Sequence, residues 1–324
     1  MGEYFAVYCY SGKNAQGSST LPIYIFRKSL GRLQPWDLTT TYCFIDELRA
    51  DYPIQLLCSV LKVRRSCYYA WKAGQTYQIK DTDKVMEKEV ISVFKEHKRR
   101  YGSRRIVREL SHRGLAIGHY KARKLLSRNG LQAIQPRSFV PRTTDSRHTY
   151  RISPNLLKER RAPASPNEVW VGDITYIPMS NGGFLYLSVW MDLYSRKIVG
   201  WDLQDNMRES LVIESLQKAL NVRRLIRRLL LHSDRGGQYA GTDFRKKLAK
   251  HNILQSMSDA DNPYDNAHME SFFSRFKAEM LEGGAFRTAE DARSEIFEYI
   301  EMYYNTKRLH SSIGYLSPND FENK

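Results

Sequence analysis

The sequence predicts a mixed α/β fold, a sheet covered by helices, preceded by an all-helical, strongly basic region. Three observations carry this. From Glu168 onward, runs rich in β-branched and aromatic residues alternate with helix-spaced segments in the order β-β-β-α-β-α-β-α-α. Between residues 41 and 132, helical spacing recurs instead. The charge divides at the same place: residues 1–168 carry 31 basic and 14 acidic side chains, whereas residues 169–324 carry 20 and 21. A net charge of +16 concentrated in one part of the chain points to a polyanion, nucleic acid first, as the partner of that part.

The length of 324 residues fits about two domains. With 42% hydrophobic and 27% charged residues, the composition is that of a soluble globular protein. No stretch approaches the roughly 18 uninterrupted apolar residues of a membrane span. The opening MGEYFAVYCY lacks the basic start and apolar run of a secretion signal, and Ala6 stands where a myristoylation motif needs Ser or Thr. A cytoplasmic protein is expected. Cys9, Cys43, Cys58 and Cys67 form no Cys-x-x-Cys pair and are followed by no His-x-x-x-His, so they read as small core residues rather than a zinc site or disulfide framework.

Residues 1–40, with SGKNAQGSSTLP, hold no persistent period and read as a poorly ordered leader. CFIDELRADYP then has helical spacing and stops at Pro53. Leu56, Leu57, Val60 and Leu61 mark a short helix, Lys62–Val63 a break, and a second amphipathic piece ends at Trp71 and Gly74. Two short helices with a tight turn fit a helix-turn-helix whose second helix begins at Arg64, Arg65 and Ser66; a plain helical hairpin fits equally. A longer helix is expected over Thr82–Lys98, with Val85, Val90, Ile91 and Phe94 on one side. A second helical pair follows, packed by Ile106, Val107 and Leu110 and by Ala122, Leu125 and Leu126, with its turn at His112–Gly114. Between Lys95 and Arg161 there are 19 basic residues against 4 acidic. Arg104, Arg105, Lys121, Arg123, Lys124 and Arg128 of this pair, with Arg64 and Arg65, are the candidate DNA contacts. The domain expectation is a leader (1–40), a helical DNA-binding region (41–132), a basic linker (133–166) and a core (167–324).

In that core, VWVGDITYIP, FLYLSVWMDL and KIVGWDL read as strands, with Gly182–Gly183 turning between the first two. ESLVIESLQKAL is a helix, RLLLHSD a strand, GTDFRKKLAK a helix and ILQSM a strand. Helices near 264–281 and 288–304 close the chain.

Three acids stand out. Asp173 shares a strand face with Val171 and Ile177, where a charge is costly unless paired or bound to metal. Asp234 follows the apolar run LLLHS and precedes Gly236–Gly237, a strand-end turn of the kind that exposes functional groups. Glu270 edges the apolar face formed by Met269, Phe272, Phe273, Phe276 and Met280, in line with Ser274 and Lys277. Three carboxylates without histidine or thiolate suit a hard cation such as magnesium. Two such ions, about 3.5–4 Å apart, serve phosphodiester chemistry. Lys277 is placed to hold a phosphate nearby. His232 reads as a hydrogen-bonded structural histidine and Asp192 as a cap of the turn into Tyr194–Ser195. Tyr304, Asn305, Arg308 and His310 fit a DNA contact and a packing role equally.

WVGDITYIP, LLLHSDRGGQY and DNPYDNAHMESFFSRFKAEM resemble the three catalytic blocks of bacterial DDE insertion-sequence transposases. The resemblance includes the 35 residues between Asp234 and Glu270 and the basic Lys277 seven positions after the glutamate. YIEMYYNTKRLHSSIGYLSPNDF is similar to that family's C-terminal signature, and YGSRRIVRELSHRGL to its helical DNA-binding region. The resemblance covers about 40–324 and is strongest to the second-frame (OrfB-like) product of the subgroup encoded in two overlapping frames. It implies a ribonuclease H-like, retroviral-integrase-like core in which Asp173, Asp234 and Glu270 are the catalytic and metal-binding triad. The implied cofactor is Mg²⁺, with Mn²⁺ as the alternative, two ions acting together. The implied reaction is cleavage of one strand at each element end to leave a 3′-hydroxyl, followed by strand transfer with no covalent enzyme intermediate. The implied partners are double-stranded DNA at element ends and target, further copies of the chain, and the upstream-frame protein or a fusion with it. A catalytically incompetent DNA-binding or inhibitory product is the competing function. A nuclease acting on RNA–DNA hybrids ranks last, since it leaves the basic helical region unexplained.

Overall fold

The computed structural model describes residues 38–74, 81–135, 150–158, 160–259, 266–282 and 284–324. The expected leader, apart from its last residues, lies outside the described residues, as do Cys9, the middle of the expected linker and the DNPYD stretch before Glu270. The chain divides into two compact units, Met1–Lys84 and Val85–Lys324.

In the first unit, α1 (Leu38–Leu48), α2 (Ile54–Val60) and α3 (Arg65–Lys72) enclose Tyr42, Ile45, Leu57, Cys58 and Tyr68. Pro53 precedes α2 and Arg64 precedes α3, so the helix starts fall where the sequence places them. The buried Tyr68 hydroxyl donates to Asp46 at 2.6 Å, and Lys72 bonds the same carboxylate at 2.9 Å. Cys58 is core as expected, but Cys43 and Cys67 are exposed, because their positions fall off the apolar stripes of α1 and α3.

The second unit begins with α4 (Asp81–Glu96), within whose first turn the division falls, followed by α5 (Ser103–His112) and α6 (His119–Arg128). Val90, Val93 and Phe94 are buried on α4, whereas Val85 is 55% exposed. The buried stripe runs through Val90, Val93, Phe94 and His97 at helical spacing, and Val85 lies outside it. Ile106 and Leu110 of α5 and Ala122 and Leu126 of α6 are buried, as their spacing predicts. The division cuts the expected 41–132 region because α4–α6 do not fold on themselves alone. Val90, Phe94, Tyr101, Ile106, Leu110 and Leu126 belong to the same apolar cluster as the strand residues Val171 and Leu187 and the helix residues Phe272 and Tyr299.

The sheet has five strands: β1 (Val169–Pro178), β2 (Phe184–Asp192), β3 (Ile198–Gln204), β4 (Leu230–Ser233) and β5 (Leu254–Met257), in the spatial order β3-β2-β1-β4-β5. β1, β2 and β3 form an antiparallel meander, and β4 and β5 add parallel on the other side of β1. A parallel neighbour needs a crossover, supplied by α7 (Glu209–Val222) before β4; α8 (Gly237–Ala240) and α9 (Thr242–Lys250) lead to β5. One sheet face packs Trp170, Trp190 and Val199 against Val212, Leu216, Phe244 and Leu248 of α7 and α9. The other packs Val171, Ile177 and Leu187 against α10 (Ala267–Leu281) and α11 (Ala289–Phe297), which continues as a π-helical turn through Glu298–Tyr304. A last short helix, α12, covers Pro318–Glu322. This is the mixed sheet flanked by helices that the sequence leads one to expect.

Both sheet edges are covered. At β3, the Asn305 amide accepts from the Ile198 N–H at 2.9 Å and donates to its carbonyl at 3.0 Å. At β5, the described end of the linker is docked rather than loose: Leu156 N–H donates to Ser256 Oγ and Met257 N–H to the Pro154 carbonyl. Such contacts remove an exposed template for strand addition. Among the described residues, no helix is long and apolar enough to cross a membrane.

Candidate active site

The first two acids are brought together by strand register. β1 and β4 run parallel with Val171 opposite His232. Continuing both strands by two residues sets Asp173 beside Asp234 on the same face, and neighbouring strands lie about 4.8 Å apart. β4 ends at Ser233, so Asp234 occupies the first position past the ladder. Its Oδ1 accepts from the Gly236 N–H at 3.0 Å, which fixes the carboxylate against the turn into α8. Asp173 is half-buried, and its own Oδ1 accepts from the Ile174 N–H at 2.8 Å. Beneath it, Gly172 is opposite Trp190, and a Cβ at Gly172 would stand 2.1 Å from the indole ring. Only glycine lets the ring lie against β1 there, which seats the strand carrying Asp173.

The third acid comes from α10, which packs on β1 through Met269, Phe272, Phe273 and Phe276. Glu270, in its first turn, is exposed; Lys277, two turns on, is half-buried. Burial raises the Asp173 pKa well above the carboxylate range, and Asp234 and then Glu270 push it further, against the Ile174 N–H and Lys277. Burial pulls Lys277 down while Asp173 holds it up. The Tyr239 phenol, 1% exposed, is raised well above its ordinary value by burial and then by Asp173 and Asp234. Asp173 is thus acted on electrostatically by two further carboxylates and a lysine.

Whether these residues suit a metal is tested by their chemistry. Among the described residues, no three His, Cys, Asp or Glu side chains stand preassembled as a metal cage. The donors that converge electrostatically are all carboxylates, and their mutual repulsion is what a hard cation relieves. The set fits magnesium-type binding, in which few protein ligands suffice. His232 is excluded as a ligand: fully buried, its ring nitrogens face Ser256 Oγ at 2.9 Å and Ser258 Oγ at 3.2 Å.

Other expectations sort cleanly. Asp192 caps its turn, accepting from the N–H groups of Tyr194 and Asn167 at 3.0 and 2.7 Å. Tyr304, Asn305 and Arg308 are buried and pack the tail, which resolves their two readings in favour of packing. Lys121, Arg123, Lys124 and Arg128 are exposed along α6, and the last three line a shallow concavity of about 380 Å³ with Tyr120 and Ser127. Arg64, Arg65 and Arg104 are exposed as well. Arg105 is turned inward instead: its Nε donates to the Leu309 carbonyl at 2.9 Å, so its head holds the tail rather than DNA. A helical period shows only that a residue is off the apolar stripe, and here the neighbouring surface is protein. Asn266 was not legible as a site residue. It is 9% exposed at the start of α10, and its Nδ2 reaches the Gly172 carbonyl at 3.5 Å. Its place four residues before Glu270 was the available signal.

The sequence matches place this sheet in an integrase core, the catalytic unit of a polynucleotidyl transferase. The integrase core domain family matches residues 163–263, a second integrase core domain family matches 270–324, and an HTH-like domain matches 80–139. The transposase InsF of insertion sequence IS3A from Escherichia coli strain K12 is 38% identical over 286 residues, covering 87% of this chain and 98% of the relative. The transposase of IS904 from Lactococcus lactis is 39% identical over 238 residues, 74% of this chain and 93% of that one. The chain belongs to the IS3 family of insertion-sequence transposases. Among solved structures, the simian T-cell lymphotropic virus intasome in complex with PP2A regulatory subunit B56 gamma aligns with 67% of this chain and 70% of that chain, at 18% identity and a TM-score of 0.42.

Proposed function

We propose that Asp173, Asp234 and Glu270 are the catalytic and metal-binding triad of this transposase, holding two Mg²⁺ ions, or Mn²⁺ in their place. The observation that carries this reading is the register that sets Asp173 beside Asp234, whose charge adds to the rise that burial gives the Asp173 pKa. A divalent cation held there supplies Lewis acidity and charge compensation at the scissile phosphodiester. The side chains do the rest. Asp234, fixed by Gly236, and Asp173, fixed on β1, keep two carboxylates oriented from rigid elements. Lys277 carries positive charge beside them for the phosphate being attacked. Water is the first nucleophile, releasing a 3′-hydroxyl at each element end, and that hydroxyl is the second nucleophile in strand transfer to target DNA. Pairing two ends calls for at least two copies of the chain, and the upstream-frame protein or a fusion with it is the further partner. The complete triad disfavours an inert, inhibitory product.

A labelled duplex carrying the element's end, incubated with wild type or Glu270→Gln in Mg²⁺ and in EDTA, tests this. Nicking only by the wild type and only in Mg²⁺ is expected; nicking by the variant refutes the assignment. The α6 surface is tested separately. Replacing Lys121, Arg123 and Lys124 with Ala is expected to flatten the plot of log affinity against log salt by about one unit for each phosphate that is no longer neutralised. An unchanged slope moves the DNA-binding surface elsewhere.

A further inference from the structure

A second basic site lies outside the triad. Residues 157–158 and 160–163, the turn after β2 and the start of α10 enclose a cleft of about 370 Å³. Its charged and titratable lining among the described residues is Lys158, Arg160, Arg161, Tyr194, Arg196 and His268. Lys158 is partly neutralised by Asp259 at 3.5 Å, and Arg160 and Arg161 are exposed.

Arg196 is the unusual member. It sits in the left-handed region at φ 64°, where a branched or long side chain is held at a cost. The residue is half-buried, and its Nη1 is buried with no hydrogen-bond partner among the described residues. An enclosed guanidinium with an unsatisfied donor is costly unless an anion completes it. Burial, opposed by Tyr304 and Asp192, pulls the Arg196 pKa down, which is the mark of incomplete compensation.

The distance to the triad is set by the sheet. Asp192, at the end of β2, is opposite Trp170, three residues before Asp173 on β1. Three residues of strand span about 10 Å. A DNA strand advances about 3.4 Å of axis per nucleotide, so a cleft at this separation is within reach of a phosphodiester a few nucleotides from one at the triad. Arginine forks match phosphate oxygens in geometry as well as charge.

We propose that this cleft is a phosphodiester-binding subsite, anchored by Arg196 and rimmed by Arg160 and Arg161, that grips the DNA backbone a few nucleotides from the bond being cut. The inference rests on the triad reading for the position of that bond, and not for binding itself. The test therefore measures binding in EDTA, where catalysis plays no part. Duplexes carrying the element's end, each with a single uncharged methylphosphonate at a different backbone position, are titrated with wild type, Arg196→Gln and the double variant Arg160→Gln/Arg161→Gln. In the wild type, neutralising one or two neighbouring phosphates is expected to weaken binding about tenfold, the scale of one charge-assisted hydrogen bond. In both variants the same positions are expected to become insensitive while the rest of the profile is retained. An interference profile identical in all three proteins overturns the proposal, and so does a uniform loss at every position. Because Arg160 and Arg161 are exposed, the double variant keeps the test decisive if Arg196→Gln does not fold. Failure of the triad reading is separable, since it shows as Mg²⁺-dependent nicking by Glu270→Gln.

Discussion

Asp173→Asn is expected to reduce strand cleavage in Mg²⁺ by at least about 10³-fold, while leaving affinity for the element's end within about twofold. The acid sits half-buried on a rigid strand, and its proposed task is to hold metal, not to touch phosphate. Binding measured in EDTA and cleavage measured in Mg²⁺ separate the two. A parallel loss of both means that Asp173 supports the fold or the DNA surface instead. Stability gives a second readout, with a definite sign. Burial, Asp234 and Glu270 raise the folded-state pKa of Asp173 above its unfolded value. A group raised in this way contributes stability below its unfolded pKa, and that contribution is lost as pH rises through the folded pKa. At neutral pH the metal-free wild type therefore carries an ionisation cost that asparagine does not. In EDTA at pH 7, the variant's Tm is expected to equal or exceed that of the wild type. Mg²⁺ is expected to raise the Tm of the wild type and to do so far less in the variant, because a ligand stabilises only a state that binds it. A Tm for the variant well below that of wild type in EDTA contradicts this account.

Asp173 and Asp234 stand out as candidates in the sequence because one interrupts and the other ends an otherwise apolar run. Asp173 interrupts VWVGDITYI, and Asp234 follows LLLHS, so each announces a charge the core does not want. Strand limits were readable for the same reason: β1 covers Val169–Pro178, the whole of the predicted run. What the sequence withheld depends on partners far along the chain. Arg105 looks like one more cation on a basic helix, and only the Leu309 carbonyl, 204 residues away, turns it inward. Val85 fits a helical period as well as Val93 does, and the packing of α4 chooses between them. The Arg196 cleft is assembled from three separated segments, each of which supplies basic residues that read as ordinary surface charge. The helical region was expected to end at a linker, yet Tyr101 donates to the Lys307 carbonyl and accepts from the Leu309 N–H. Those bonds tie α4–α5 to the tail and are invisible to any local period.

Glu279→Gln is expected to destabilise the second unit by about 3–5 kcal/mol, the usual cost of leaving a buried charge unpaired. Glu279 lies on α10, nine residues beyond Glu270, and its carboxylate is matched to Arg308 by two bonds of 2.7 and 3.1 Å. Both side chains are nearly excluded from solvent, at 3% and 4% exposure, and Tyr299 donates to the same carboxylate at 2.8 Å. Burial alone works to raise the Glu279 pKa, but the charge and hydrogen bonds of Arg308, with Tyr299, prevail and hold it below the usual value. A depressed carboxylate contributes stability above its unfolded pKa, and that contribution is lost as pH falls through the folded pKa. The wild type is therefore expected to lose stability on acidification in a window where Glu279→Gln shows less change. Replacing both partners with apolar residues, Glu279→Leu with Arg308→Met, is expected to recover much of the loss, because no uncompensated charge remains. Chemical denaturation of the single and double variants checks this, and equal losses in both make the pair an ordinary packing interaction. The consequence reaches the site through α10. Arg308 lies within the segment gripped by Tyr101 and Arg105, between Lys307 and Leu309, so the pair joins tail, helical region and the helix carrying Glu270 and Lys277. Cleavage by Glu279→Gln at a temperature where it remains folded is expected to fall more than DNA binding does, since α10 carries the proposed ligand Glu270 and the proposed DNA-binding surface of α6 is untouched.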